Sequence, residues 1–159
     1  MISQCIVWNL CANAIEESAS VRDVLARFEK PVQIYVGKDI AAPLEQADCP
    51  VIAIAPLDAP LDMGHFATSR NVAVIVRFAL FDDVITDDGV RKTFRGSVSI
   101  DQLSAAIVLA IKEIDGLGDE LTKAEVFLET ENAPLYAGRI ECNFDCKRGL
   151  AFEPEASEV

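Results

Sequence analysis

Eleven consecutive residues, Asn71-Val-Ala-Val-Ile-Val-Arg-Phe-Ala-Leu-Phe81, are rich in β-branched and aromatic side chains and contain neither Gly nor Pro. Val72, Val74, Val76, Phe78 and Leu80 fall on one face at period two. Ala73, Ile75, Arg77, Ala79 and Phe81 fall on the other. That alternation predicts a strand with one face on a core and the other partly covered. A helix over the same residues would be apolar all round, and its β-branched side chains would lose χ1 freedom. The segment therefore reads as a central or near-central strand, and the rest of the chain must build around it.

Other periodic segments supply the partners. Ile2, Ile6 and Leu10, with Cys5, Ala14 and Ile15 beside them, predict an amphipathic helix over Ile2–Ile15, with Trp8 at the edge of its stripe. Ser18–Ser20 interrupts it, and Ser20 reads as the N-cap of a shorter helix carrying Val21, Val24, Leu25 and Phe28. Pro31 stops that helix. Val32–Gly37 and Pro50–Pro56 read as strands, the second with its prolines at the ends, where a missing donor is tolerated. Ser99 and Gln102 have the spacing of a capping box. They would open a helix with the stripe Ile100, Leu103, Ile107, Ala110, Ile111 and Ile114, ended near Gly116 and Gly118. Ala124–Thr130 and Leu135–Asp145 flank the turn residues 131–134 and read as a closing hairpin. The expected fold is α+β: one domain over residues 1–150, with a mostly antiparallel sheet of about five strands flanked by helices. Residues 151–159 read as an acidic, disordered tail.

The charge balance narrows the function. There are 14 Lys and Arg against 26 Asp and Glu, a formal net charge of −12. Met1–Leu80 carries six basic and nine acidic residues, a net of −3. Phe81–Val159 carries eight and seventeen, a net of −9. Such a field repels nucleic acid backbones and anionic membranes, so no specific nucleic acid binding and no membrane association are expected. DNA could still slide past such a surface. No secretory pattern opens the chain, and no run approaches the roughly 20 apolar residues that span a bilayer. The five cysteines, Cys5, Cys11, Cys49, Cys142 and Cys146, are odd in number and sparse, which suits reduced thiols in a cytosol. Cys142 and Cys146 lack the second pair or nearby His that would complete a zinc site.

No constellation of catalytic or ligating residues stands out, so no catalytic residue, metal site or cofactor is assigned and the chain is not expected to be an enzyme. His65 is the single His and has no nucleophile motif around it. Gly37-Lys38 lacks the upstream glycine of a phosphate-binding loop. Asp82, Asp83, Asp87 and Asp88 crowd one segment, but neither their spacing nor a downstream Glu matches a calcium loop. They read as a mobile, solvent-facing acidic loop in which Asp88-Gly89 makes the tight bend. Leu57–Arg70 is a long loop that nonetheless carries Leu57, Leu61, Met63 and Phe66. Two readings stay open for it: these side chains pin the loop to its own domain, or they contact a neighbouring subunit.

The order of elements also resembles a known family. An N-terminal helix is followed by a strand ending in Gly37-Lys38, then by Glu45-Gln-Ala-Asp-Cys-Pro-Val-Ile-Ala-Ile54. The long strand, a helix after an acidic loop and a closing hairpin complete the series. This is similar to the tail terminator proteins of long-tailed bacteriophages and prophages, of the lambda minor tail protein type. The resemblance spans Ile2 to Lys147 as order and pattern, and its most specific piece is Ala47-Asp48-x-Pro50 leading into an apolar strand. The segment Ser18–Lys30 is longer than the family pattern, and the acidic tail is an addition to it. The resemblance implies a hexameric ring that caps the tail tube, stops its polymerisation and helps join it to the head. Its partners would be copies of itself, the tail tube and head-completion proteins. It would work first in the host cytoplasm and then in the virion tail.

A head–tail joining or neck protein is the neighbouring alternative. The alternative of another class is a small cytosolic α+β enzyme or regulatory module that is metal-dependent through Asp82–Asp88.

Overall fold

The segment Asn71–Phe81 is the middle strand of a five-stranded sheet. The computed structural model describes residues 4–40, 44–57 and 71–146, and of Gln4 and Cys5 the backbone alone. The sheet contains β1 (Gln33–Val36), β2 (Val51–Pro56), β3 (Asn71–Phe81), β6 (Leu121–Glu129) and β7 (Leu135–Asp145). Two short strands, β4 (Ile85–Asp87) and β5 (Lys92–Phe94), form a separate hairpin. The spatial order is β1-β2-β3-β7-β6. β1 and β2 run parallel, and the other sheet pairs run antiparallel. The fold is thus α+β with a mixed, mostly antiparallel sheet.

The alternation of β3 sorts its two faces. Val72, Val74, Val76, Phe78 and Leu80 are all buried and join one core with Ile52, Ile54, Tyr136, Ile140 and Phe144. Onto that face pack α1 (Gln4–Glu17), α2 (Ala19–Leu25) and α3 (Arg95–Lys112), through Val7, Cys11, Ile15, Leu103, Ile107 and Ile111 among others. The opposite face is covered less. There Cys49, Val51 and Ala79 are buried against Ile40, Leu44, Phe81 and Leu135, so the segment joining β1 to β2 shields part of the sheet.

Two helix starts differ from the sequence expectation. Ser18, not Ser20, caps α2 and accepts from the Val21 N–H at 3.3 Å. The third helix begins a turn earlier than the apparent capping box, at Arg95, with Phe94 as its N-cap. Ser99 is fully buried inside the helix, and Ser99 Oγ and Gln102 Oε1 both accept from Arg27 Nη1. The side chains that mimic a cap instead tie the end of α2 to α3. Gly96 explains how the extra turn fits. A Cβ there would overlap the ring of Tyr136, so only glycine lets the helix lie this close to β7. Among the described residues, no helix is long and apolar enough to cross a membrane.

Candidate functional site

The segment expected to be an acidic loop forms a two-stranded hairpin. The register Ile85↔Phe94, Thr86↔Thr93, Asp87↔Lys92 defines it, and its aspartates build it. Asp82 is buried at its root, not solvent-facing. Its carboxylate accepts from Arg95 Nε at 2.7 Å and Nη2 at 3.0 Å, and from the Val84 N–H at 3.1 Å. Such a two-pronged pair fixes direction as well as distance. The Asp82 N–H donates to the Pro134 carbonyl at 2.9 Å, and the Arg95 N–H to the Val84 carbonyl at 3.1 Å. The hairpin is therefore clamped to the sheet on one side and to the start of α3 on the other.

At the tip the carboxylates replace missing backbone partners. Asp87 Oδ1 accepts from the Gly89 N–H at 2.9 Å, and Asp88 Oδ1 accepts from Val90 and Arg91 at 3.0 and 2.6 Å. Those two amides hold the Asp88 carboxyl below its ordinary range. Gly89 has φ +87°, a left-handed conformation that glycine adopts without strain, as the Asp-Gly pair implies. Asp83 is exposed. Among the described residues no group of three or more His, Cys, Asp or Glu is placed to hold a metal ion.

What this clamped hairpin presents to solvent is apolar as well as charged. Ile85 is 52% exposed, its partner Phe94 42%, and Val90 at the tip 99%. Val84 and Val98, flanking the root, are also exposed. The basic residues Arg91 and Lys92 sit between them, Lys92 reaching Asp87 at 3.7 Å. An isolated two-stranded hairpin is marginal in water, and apolar side chains left on one are a recurrent sign of a contact surface.

A groove of about 370 Å³ lies at the far end of α3, where its last turns meet the C-terminal half of α1. Leu10, Ala14, Ala110 and Ile114 line it, together with the acidic side chains Glu17, Glu113 and Asp115. No basic residue is among its described lining residues; Lys112 in the last turn of α3 and Arg22, whose Nε donates to the Glu16 carbonyl at 2.9 Å, lie outside it. Ser18, the N-cap of α2, also lines it, so the positive end of that helix lies beside the C-terminal end of α1.

On the less covered face of the sheet, Arg77 and Arg139 sit opposite each other in the β3–β7 register. Like charges so placed repel, and each has a local remedy. Arg77 Nε lies 2.7 Å from Asp39 Oδ1, a close ion pair bent away from good hydrogen-bond alignment. Arg139 donates to Glu141 at 3.1 Å and stacks 4.3 Å above the Phe127 ring. The arginines are thus neutralised within the protomer. Burial pushes the thiols of Cys11 and Cys142 up to about 12 and that of Cys49 to about 11. Cys11, Cys49, Cys142 and Cys146 are all free and buried.

Of the four apolar side chains expected at a subunit contact, Leu57 is half-buried, while Leu61, Met63 and Phe66 lie outside the described residues, as do His65 and the acidic tail. The exposed apolar hairpin was missed by sequence reasoning, although Asp-Gly between Ile85-Thr86 and Thr93-Phe94 is a hairpin signal. The groove left no signal, since its walls are about a hundred residues apart in the chain. No protein-family model matches the chain, and no curated protein matches it.

Proposed function

We propose that this chain is a structural protein of a long-tailed phage or prophage, a ring-forming tail terminator that caps the tail tube and helps join it to the head. The observation that carries the reading is the β4–β5 hairpin, which projects Ile85, Val90 and Phe94 into solvent from a root clamped by Asp82 and Arg95. A rigid body with an apolar projection suits a subunit that works by contact with its neighbours. The order of elements, from the N-terminal helix through the central strand to the closing β6–β7 hairpin, supports the same reading. The acidic field suits a lumen past which DNA moves without sticking. The metal-dependent alternative loses support because Asp82 is engaged by Arg95 while Asp87 and Asp88 hold their own turn. No enzymatic step is proposed, and the protein would act in the host cytoplasm and then in the virion tail.

The test is addition of the purified protein to polymerising tail-tube protein. The expected result is arrested tube growth, with ring-shaped density at one tube end by electron microscopy. Tubes that lengthen unchecked with no bound density would sink the terminator reading. Binding to a head connector but not to a tube would favour the neck-protein alternative.

A further inference from the structure

We propose that the outer edge of β6 pairs antiparallel with β6 of a second copy, across a two-fold axis at Val126. This goes beyond the reading of the chain as a tail terminator and does not rest on it. Among the described residues the sheet ends on one side in β1, of four residues, and on the other in β6, of nine. Sheet edges carry unpaired backbone groups, which proteins commonly blunt by shortness, bulges, proline, charge or a cover. β1 is short. β6 has no proline and no buried residue, and its bulge lies at its start, between Leu121 and Lys123. Val126 and Phe127, in the regular part, are 42% and 39% exposed.

The phase of the hydrogen bonds shows which residues of β6 offer their backbone outward. The Leu57 N–H donates to the Ala73 carbonyl, and the Gly37 N–H to the Ile54 carbonyl. Opposed residues in an antiparallel pair bond each other only at every second position, so Ala73, Ile75 and Arg77 turn to β2 while Val74, Val76 and Phe78 turn to β7. Carried through the β3–β7 and β6–β7 registers, the same alternation turns Lys123, Glu125 and Phe127 to β7. The N–H and C=O groups of Ala124, Val126 and Leu128 are left facing outward. β1 turns only Ile34 and Val36 outward, since the Gln33 N–H donates to the Pro50 carbonyl. A ladder of β6 on itself is therefore longer than one of β6 on β1 of another copy.

Side chains select the register. Centred on Val126, Val126 meets its copy and Ala124 meets Leu128 on both sides, a ladder of roughly six hydrogen bonds. Lys123 then stands opposite Glu129, and Glu125 opposite Phe127. Lys123 also lies 2.7 Å from Glu125 of its own strand, and at 56% exposure it can serve both carboxylates. Centring on Glu125 would oppose that carboxylate to its copy, and centring on Phe127 would oppose Glu125 to Glu129, both repulsive. Centring on Ala124 would leave Leu128 outside the ladder. The Val126 register also keeps every side chain on its face, so Ala124 and Leu128, which pack against the core, continue that layer into the second copy. Such a contact is isologous and doubles the sheet.

The test follows molar mass by light scattering across protein concentration. Wild type should dimerise, and Val126→Pro should dimerise at least ~10-fold more weakly, since by symmetry it removes two hydrogen bonds between copies. Its melting temperature should stay near that of the wild type, because an outward N–H is where an edge strand tolerates proline. Lys123→Glu and Glu129→Lys, both surface changes, should each weaken the dimer alone. An equimolar mixture of the two should recover it, since every opposed pair then joins unlike charges. A wild type monomeric at every concentration, association unmoved by Val126→Pro, or a mixture that stays weak would each overturn the proposal. Arrest of tube growth by the monomeric Val126→Pro variant would leave the terminator reading standing apart from this contact.

Discussion

Asp82 keeps its carboxylate at 1% side-chain exposure by accepting from both Nε and Nη2 of Arg95 and from the Val84 amide. Removing one member of a fully buried pair costs roughly 3–5 kcal/mol, because the other charge is left unpaired. Arg95 is 42% exposed and can turn to water, so the cost here is smaller. Asp82→Ala should lower the unfolding free energy by about 1–3 kcal/mol in urea titration, and Asp82→Asn by less, since the amide oxygen still accepts. The buried thiols make a separate, pH-dependent prediction. Cys11 and Cys142 rise from 9.0 to about 12, chiefly through desolvation, with each other's proximity adding to the shift at Cys11. The folded state therefore holds their protons more tightly than the unfolded chain does. Their contribution is fully present below pH about 9 and is lost as pH rises toward about 12. Each thiol steepens the loss by up to about 1.4 kcal/mol per pH unit in that window. Alkaline denaturation of Cys142→Ala, compared with wild type, should show the shallower slope. Thiol-specific reagents should meet these residues at neutral pH only when the protein unfolds.

At the scale of elements, α3 meets the sheet at a place where shape leaves no room for adjustment. A Cβ on Gly96 would overlap the Tyr136 ring, and one on Gly138 would lie 2.6 Å from Phe78 Cζ. Gly96→Ala should therefore cost about 1–3 kcal/mol in thermal or urea unfolding despite the higher helix propensity of alanine. An unchanged or raised stability would show that Tyr136 can move aside. The hairpin should behave differently from the elements it joins. Its side chains are exposed, so the amides of β4 and β5 should exchange well before those of β3 and β7 by hydrogen-exchange mass spectrometry. The difference between these elements is also what governed their legibility. β3, β7 and most of α3 bury one face each, and burial imposes the periods of two and 3.6 that a sequence displays. β4 and β5 bury neither face, so Thr86, Lys92 and Thr93 carry no hydrophobic alternation and the segment reads as a loop. The start of α3 was misplaced because Ser99 and Gln102 have capping spacing but bind Arg27, a tertiary contact 72 residues away for Ser99. The candidate contact surface was half legible: the Asp-Gly turn is local, whereas the acidic groove depends on α1 and α3 ending side by side.

For the whole molecule, the proposed assembly would have to overcome a net charge of −12 on every copy. Two electrostatic effects of opposite sign then act over different ranges. Repulsion between the overall fields extends over tens of ångströms. Attraction between opposite charges that meet across an interface acts only at contact. Salt separates them, because the screening length falls from about 30 Å at 0.01 M to about 8 Å at 0.15 M and about 3 Å at 1 M. Raising salt from the lowest value should first strengthen self-association, as the long-range repulsion is screened while pairs at contact distance are largely spared. Further increase toward 1 M should weaken it again, as those pairs lose their advantage over hydrated ions. The expected curve of molar mass against salt, measured by light scattering at fixed protein concentration, therefore has a maximum near physiological ionic strength. A mass that climbs steadily to 1 M in the wild type would mean that apolar burial alone, through Ile85, Val90 and Phe94 or another surface, holds the copies together.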